Sequence, residues 1–510
     1  MEKENVWLSS LKIFLTSRKT WLWLILGLAL LAFTRIANLT RLPIFCDEAI
    51  YIRWSQIAWK EASMRFISLT DGKQPFQTWI TIPFLKLFTD PLVAGRAQAV
   101  LAGLLLPFIL MMIMVFFFPK KEELPFLAFF LAVFSPYLLF HSRMALAESW
   151  LALFAAGSVF FSCLLGRTRR LDVALLAGGW LGLALLVKSQ ALFFLILFPL
   201  GLVFTPISFS RKGFIEAFKF LSLFLLSAAI AYLIYNVQRL SGWMHIIAQK
   251  NADFAVSPIK ALREWPVFWQ NLKASLVWFW VYLTWPVCLL SLTGLALWLK
   301  KNWRQGFFLA SWFFIPFGAI NLIARIYNSR YLAFLAFLPL LWAAFGLDWL
   351  RKRLGRRLFL LVLLLVFFLP IFRSYQLVFS PERYPFTKTD RGYLEGWTAG
   401  YGIAETVQIV SEAASYQPVV VGTEGNFGLL SQGLEIYFAF DPKVNVFGYY
   451  PLPEMPPEEL TKALKEGKRS FFVFNNTPGD FSQADLILRA EFPKVNNEGS
   501  LRIYEVVNQE

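Results

Sequence analysis

The sequence has few charged residues and almost no cysteine or histidine. Of its 510 residues only 16% are charged, where soluble globular proteins average about 25%. An ordinary soluble fold is therefore excluded. The three cysteines, Cys46, Cys163 and Cys288, lie far apart in the chain, and there are only two histidines. This scarcity argues against a disulfide framework or a zinc site built from cysteine and histidine.

Apolar residues are abundant instead, making up 57% of the chain, and the mean hydropathy is +0.54. They fall in runs of about 20 residues, the length that crosses a bilayer as a helix. The first run, Trp21 to Ala37, has no small-residue cleavage site after it and is predicted to be a retained signal anchor. The sequence predicts a multi-pass membrane protein with about eleven transmembrane helices.

The charges are distributed unevenly along the chain. Residues 1–380 contain 38 basic and 15 acidic residues, whereas residues 381–510 contain 11 and 18. The basic residues cluster between alternate apolar runs, which predicts cytoplasmic loops, a cytoplasmic amino terminus and an extracytoplasmic carboxy-terminal region in the cell membrane. This spacing is typical of membrane orientation, and nucleic acid is not expected as a partner.

The change of composition predicts two domains. Residues 1–380 are expected to form a transmembrane domain with two long outer loops, about 39–91 and 239–275, whose tryptophans favour helices lying flat on the membrane. Residues 381–510 alternate short helical and strand patterns and predict a soluble extracytoplasmic α/β domain. The segment GTEGNFG at 422–428 lacks the spacing of a nucleotide-binding loop and is interpreted as a turn.

Candidate functional residues gather at the predicted outer ends of the spans. Asp47 and Glu48 follow the first span, and Glu148 lies at a later outer end. Two adjacent carboxylates beside lipid carry a desolvation cost, although an acidic pair at a helix start can also be a simple cap. Cations at outer ends oppose the positive-inside bias and indicate an anionic ligand such as a lipid phosphate, although each alone is typical of a snorkelling side chain. They are Lys73, Arg96, Arg143, Lys188, Arg325 and Arg330.

The order of the motifs CDEAIY, GKQPFQTWI, AGRAQAVLAG, SRMALAES, VKSQALF and SRYLAFLAFLPLL resembles the GT-C glycosyltransferases of the protein O-mannosyltransferase and lipid A aminoarabinose-transferase group. The resemblance covers most of residues 20–350. It implies a GT-C type membrane fold and transfer of a sugar, with inversion, from a polyprenyl phosphate to an acceptor on the extracytoplasmic face. This sequence departs from the pattern at Gln74, between Lys73 and Pro75, and at Glu148, where many members have aspartate.

The resemblance maps the family's first acidic residue onto Asp47 and its other motifs onto Lys73, Arg143 with Glu148, and Arg330 with Tyr331. An acceptor hydroxyl loses a proton as it attacks, so Asp47 is expected to be the base, with Glu48 and Glu148 orienting it. Negative charge grows on the departing phosphate, which Lys73, Arg143, Lys188 and Arg330 are expected to bind. Further candidates for the substrate pocket are Tyr51, Gln74, Arg96, His141, Arg325 and Tyr331.

The expected partners are the bilayer, a polyprenyl-phosphate-linked hexose or pentose, and a lipid, glycan or protein acceptor. No metal site and no cofactor are predicted, because several cations near a monophosphate make a metal unnecessary; Asp47 and Glu48 leave Mg²⁺ or Ca²⁺ open as an alternative. A different class of function, a transporter or flippase for a lipid or a lipid-linked sugar, would need polar residues near the middle of the spans. In this sequence the polar residues gather at the outer ends of the spans instead.

Overall fold

A computed structural model describes residues 18–206, 210–452, 456–477, 485–497 and 499–507. The amino terminus, predicted to be cytoplasmic, lies outside these residues. By contacts between Cα atoms, the chain divides into two compact units. The first unit contains residues 1–37, 68–77 and 99–379, and the second contains residues 38–67, 78–98 and 380–510.

The helices, in chain order, are α1 Arg18–Ile36, α2 Cys46–Lys60, α3 Phe76–Leu87, α4 Pro91–Phe117, α5 Glu123–Val133, α6 Pro136–His141, α7 Glu148–Thr168, α8 Leu171–Leu185, α9 Leu192–Leu197, α10 Arg211–Tyr235, α11 Ile246–Phe254, α12 Pro258–Ala261, α13 Trp265–Tyr282, α14 Trp285–Lys301, α15 Trp303–Ile323, α16 Phe337–Arg353, α17 Arg356–Phe379, α18 Ile403–Tyr416, α19 Leu429–Phe438 and α20 Glu458–Lys465. The strands are β1 Val419–Glu424, β2 Val444–Tyr449, β3 Arg469–Phe474, β4 Leu486–Pro493 and β5 Ser500–Val506. Short 3₁₀ turns connect several helices, among them Ser189–Ala191, Phe198–Phe204 and Ser329–Leu335.

Long apolar helices dominate the first unit, as the hydropathy predicts. Five helices in the described residues are long and apolar enough to cross a membrane, and two bent pairs raise that number to seven if each pair is one span. Four shorter apolar helices accompany them. The chain is a multi-pass membrane protein, and the count of eleven spans stays a prediction.

Several apolar runs of the sequence do not form one continuous helix. The run at 276–299 divides into α13 and α14, which meet at an angle of 108°. Thr284, which lies between them, has φ 73°, a positive value that a helix does not allow. Pro286 lies in the first turn of α14, where a proline is tolerated. Similarly, Pro136 separates α5 from α6, because a proline lacks the amide hydrogen that a continuous helix requires.

Helices of the first unit pack through aromatic and small side chains. Leu31, Met111, Phe129 and Val133 form one buried cluster shared by α1, α4 and α5. Gly294 of α14 lies so close to α16 that an added Cβ atom would be 1.9 Å from the carbonyl oxygen of Trp342. Only glycine permits this approach, and small residues at such contacts are typical of helix packing in membranes.

The second unit contains a five-stranded mixed sheet in the order β2-β1-β3-β5-β4. β1 is parallel to β2 and to β3, whereas β5 is antiparallel to β3 and to β4. The short strand patterns expected within residues 381–510 are confirmed by these five strands. The sheet's core contains Val420, Leu460, Phe472, Phe474 and Tyr504. Residues 425–428 form the expected turn, which leads into α19.

Candidate functional site

Glu148 and Lys188 form an ion pair in the first unit. Glu148 starts α7, and its Oε1 lies 2.6 Å from Nζ of Lys188, which stands in an extended connection after α8. The Glu148 side chain is only 3% exposed, whereas Lys188 is 22% exposed. The buried acid therefore holds the ammonium group while leaving one side of it accessible.

A second cation shares this location. The ring centroid of Tyr331 lies 5.2 Å from Nζ of Lys188 and 5.6 Å from Cζ of Arg330. Glu148 also interacts electrostatically with Arg330 and His141. Two cations thus face one aromatic ring beside a buried carboxylate. Lysine and arginine side chains at one location are suited to binding an anion through charge-assisted hydrogen bonds. We call Glu148, Lys188, Arg330 and Tyr331 the cation cluster.

Neighbouring hydrogen bonds fix the backbone that carries the cation cluster. The side chain of Gln190 donates to the carbonyl oxygen of Tyr331 at 3.0 Å. The hydroxyl of Tyr137 donates to the carbonyl oxygen of Ser329 at 2.5 Å. Arg330 lies between these two anchored positions, so the 3₁₀ turn that contains it is held from two sides.

Lys73 and Gln74 lie on a segment joined to the residue after Lys188. Gln74 Nε2 donates to Ser189 Oγ at 2.7 Å, and Ser189 also hydrogen-bonds to Asn251. Lys73 Nζ lies 3.7 Å from a carboxylate oxygen of Asp71. The structure thus brings Gln74 next to the cation cluster through Ser189. Lys73 is adjacent to Gln74 in the chain.

Arg143 contacts the end of a helix. Its Nη1 donates to the carbonyl oxygens of Thr34 and Arg35, both at 3.0 Å, and the residue is buried. The last carbonyls of a helix have no partner within the helix, so Arg143 caps α1. Arg325, by contrast, is exposed, and its backbone amide donates to Phe254 O at 2.9 Å.

His141 lines a cavity of about 10 Å³ with Arg35, Glu148 and Ser149. Within the described part of the chain, His141 Nδ1, Ser149 Oγ and Arg35 Nε are buried and have no hydrogen-bond partner. His141 is thus a buried neighbour of the cation cluster.

The second unit contains Asp47, Glu48, Tyr51 and Arg96. Arg96 Nε and Nη2 donate to the two carboxylate oxygens of Glu48 at 2.8 and 2.7 Å, and both side chains are fully buried. Arg96 also donates to three backbone carbonyls, those of Leu39, Leu42 and Pro43. The pair fixes the chain that leads into α2.

Asp47 and Glu48 have different surroundings although they are adjacent. Both lie in the first turn of α2, but Glu48 is buried and Asp47 is half-buried. Glu48 Oε2 also accepts from the amide of Phe45 at 3.0 Å, so this residue provides the predicted helix-start contact. Tyr51 is buried one turn later, edge-on to Trp54. Asp47 is therefore the more accessible carboxylate of the two.

Sequence reasoning missed the polar residues that support the cation cluster. Ser189 and Gln190 directly follow Lys188 in the motif VKSQ, and their position at the end of a span was a usable signal. Tyr137 and Asn251 are far from the cluster in sequence, and nothing in their local pattern separates them from other polar residues. Among the residues that the structure describes, no group of three His, Cys, Asp or Glu side chains is arranged to hold a metal ion.

Comparisons with known proteins give a family model and two similar crystal structures. The model of the family Dolichyl-phosphate-mannose-protein mannosyltransferase matches residues 65–252. No curated protein matches the chain. The chain is similar to the crystal structure of ArnT from Cupriavidus metallidurans in the apo state, with a TM-score of 0.59 and 13% identity over 96% of this chain and 99% of that one.

A second crystal structure of ArnT from the same organism, bound to undecaprenyl phosphate, matches with a TM-score of 0.61 and 13% identity over 97% of this chain and 100% of that one. The fold is therefore that of ArnT, a GT-C glycosyltransferase. The expected fold class, a helical membrane part of GT-C type with a small sheet domain near the carboxy terminus, is confirmed.

Proposed function

We propose that the protein is a membrane glycosyltransferase that takes a sugar from a donor in which the sugar is linked to a polyprenyl phosphate such as undecaprenyl phosphate. The fold shared with ArnT and the family model over residues 65–252 support this class of reaction. The observation that carries the proposal is the cation cluster, where Lys188 and Arg330 share the ring of Tyr331 and Lys188 pairs with the buried carboxylate of Glu148.

The chemistry of the donor fits this cluster. The bond between the sugar and the phosphate breaks, and the phosphate leaves with an added negative charge that nearby cations stabilise. We assign phosphate binding to Lys188 and Arg330, with Lys73 as a further cation. Arg143 caps α1 and contributes through its fixed charge.

Asp47 is our candidate for the general base. It removes the proton from the acceptor hydroxyl as the oxygen attacks the anomeric carbon opposite the leaving phosphate, which inverts the configuration. Glu48 is engaged by Arg96 and orients the turn that carries Asp47. A carboxylate must be accessible to accept this proton, and Asp47 is the less buried of the pair.

In this proposal the reaction takes place on the extracytoplasmic face, with the amino terminus in the cytoplasm. Residues 381–510 form an extracytoplasmic α/β domain, and residues 1–380 form the membrane domain with outer loops 39–91 and 239–275. The reaction needs no metal ion, because the lysine and arginine side chains neutralise the phosphate. The sugar is a hexose or a pentose.

The test uses the purified full-length enzyme with a panel of undecaprenyl-phosphate-linked hexoses and pentoses. Release of free undecaprenyl phosphate reports the reaction, and the product's anomeric configuration reports inversion. Asp47→Asn should lower turnover by about 10²–10⁴-fold, the usual contribution of a general base, without loss of folded protein. Wild-type turnover in this variant would remove Asp47 from the role. If the purified protein in liposomes moves an intact lipid-linked sugar across the membrane without any sugar transfer, the result would favour a flippase.

A further inference from the structure

Two exposed aromatic side chains lie near the carboxyl end of β1 in the second unit. Trp397 is 53% exposed and Phe427 is 55% exposed. Phe427 belongs to the turn between β1 and α19, and Trp397 is joined to the end of β3 because Asn475 Nδ2 donates to the carbonyl oxygen of Trp397 at 2.8 Å. We call Trp397 and Phe427 the aromatic face.

The aromatic face lies where the order of the strands in the sheet reverses. β1 has parallel neighbours on both sides, β2 and β3, and the chain leaves β1 for β2 before crossing back to β3. At such a reversal of strand order, the loops at the carboxyl ends separate and leave a crevice, which is where open α/β sheets bind ligands. The turn with Phe427 follows one of these ends.

The aromatic face also lies beside the helix that carries Asp47, within the same unit. The amide of Cys46 donates to the carbonyl oxygen of Thr398 at 3.1 Å. A Cβ atom added to Gly428 would lie 3.6 Å from Cys46 Sγ and 3.7 Å from Cζ3 of Trp397. The rings of Phe427 and Trp54 of α2 are 6.4 Å apart. Residues on both sides of Asp47 in the chain therefore contact this region.

Amide side chains accompany the two rings. Asn426 and Asn476 are exposed, next to Phe427 and to the end of β3 respectively. Asn475 is only 7% exposed, and its Oδ1 has no hydrogen-bond partner among the described residues. An amide both donates and accepts hydrogen bonds, as does a sugar hydroxyl. Binding sites for small molecules combine apolar ring surfaces with a few such polar groups.

We propose that the aromatic face binds a saccharide acceptor and presents one of its hydroxyls to Asp47. This inference rests on the proposed function, because it names the class of acceptor for that reaction. The apolar C–H face of a sugar ring covers the exposed rings, and its hydroxyls meet the asparagine amides. A saccharide fits better than a peptide, since the exposed amides of Asn426 and Asn476 match hydroxyls. The charged groups of Glu424 and Lys494 nearby are already bonded to backbone groups.

The experiment measures retention of the full-length protein, in nanodiscs, on a printed array of defined saccharides containing hexoses, amino sugars and pentoses. Ser/Thr-rich peptides are printed beside them. Trp397→Ala and Phe427→Ala should each lower retention on the best saccharide about tenfold, the upper range for one aromatic contact. Tyr416→Ala is the matched control, because Tyr416 is 82% exposed in the same unit but precedes β1 at the opposite end of that strand. It should bind as the wild type does.

Four outcomes would overturn the inference: no retention on any saccharide, retention on peptides only, equal losses in all three variants, or unchanged retention in Trp397→Ala and Phe427→Ala. Thermal unfolding of each variant is measured in parallel, and Trp397→Phe covers the case in which Trp397→Ala does not fold. Trp397→Phe should keep most of the binding, because a ring remains.

Failure of this inference can be separated from failure of the proposed function. Asp47→Asn should lower transfer by about 10²–10⁴-fold while keeping saccharide retention, because binding needs no base. If no lipid-linked sugar is turned over while retention still depends on Trp397, the proposed function is wrong. The assignment of saccharide binding to the aromatic face is then still supported. If transfer proceeds and the aromatic variants keep the wild-type KM for the acceptor, the inference fails alone.

Discussion

The two units each contain a buried carboxylate paired with a cation, and the two pairs differ in what they leave accessible. Glu48 and Arg96 in the second unit are both fully buried and meet through two parallel hydrogen bonds. Glu148 and Lys188 in the first unit meet through one contact, and Lys188 keeps 22% of its side chain exposed. The fully buried pair, Glu48 and Arg96, is suited to fixing the backbone, and we call it the closed pair. The pair of Glu148 and Lys188, whose lysine is partly exposed, is suited to binding a ligand, and we call it the open pair.

Breaking the closed pair should have the largest effect on stability. Arg96→Met leaves Glu48 buried without its cation and leaves three backbone carbonyls without a donor, so the free energy of unfolding should fall by about 3–5 kcal/mol. Thermal unfolding of the protein in detergent measures the loss. The double variant Glu48→Gln/Arg96→Met should be more stable than Arg96→Met, since no unpaired charge remains. A melting temperature close to the wild type in Arg96→Met would contradict the comparison.

Breaking the open pair should reduce activity more than stability. Lys188→Met removes a cation from the proposed phosphate site, and kcat/KM for the lipid-linked donor should fall by about 10²–10³-fold. Arg330 and His141 remain near Glu148, so the melting temperature should change little.

Lys260→Met is the control, because Lys260 forms an exposed ion pair with Glu264 in the same unit. Surface pairs of this kind contribute about 0–1 kcal/mol. Equal activity losses in both variants would argue against a specific role for Lys188.

Lys494 differs from the two pairs because this buried cation donates to backbone carbonyls. Its Nζ lies 2.5 Å from the carbonyl oxygen of Gly396 and 3.5 Å from that of Asn475. Burial lowers the pKa of Lys494 from 10.5 to about 8, although Glu424 acts in the opposite direction. Between pH 8 and 10.5 the unfolded chain therefore binds more protons than the folded one, and stability from this group rises with pH.

Lys494→Met should remove that pH dependence. The melting temperature of the wild type relative to this variant should rise between pH 8 and pH 10, as the buried amine loses its charge. The expected change is the smallest of the three. A difference that is constant over this range would show that Lys494 keeps its charge in the folded protein.

Hydropathy and charge predicted much of the fold, because long apolar runs have few alternatives to membrane helices. The strands of the carboxy-terminal sheet were predicted for a similar reason, since short β-branched and aromatic runs such as Val419–Glu424 lie between helical patterns. The bend at Thr284 was not predictable from composition, because the residues on both sides of it are apolar.

The site was predicted less completely. Residue type and position at span ends were sufficient to select Glu148, Lys188 and Arg330. They could not separate Arg143, which caps a helix, because capping depends on which carbonyls a distant segment presents. Likewise, Asp47 and Glu48 look equivalent as neighbours in sequence, and only the three-dimensional position of Arg96 distinguishes them. The assignment of residues 38–67 to the second unit also depends on such long-range contacts.

The five acceptors gathered by Arg96 have a consequence for catalysis. Because Leu39, Leu42, Pro43 and both oxygens of Glu48 are bound to one guanidinium group, the turn that bears Asp47 is already rigid before any substrate arrives. The folded protein already holds the proposed base in its orientation. Orienting it therefore adds nothing to the activation free energy of each turnover.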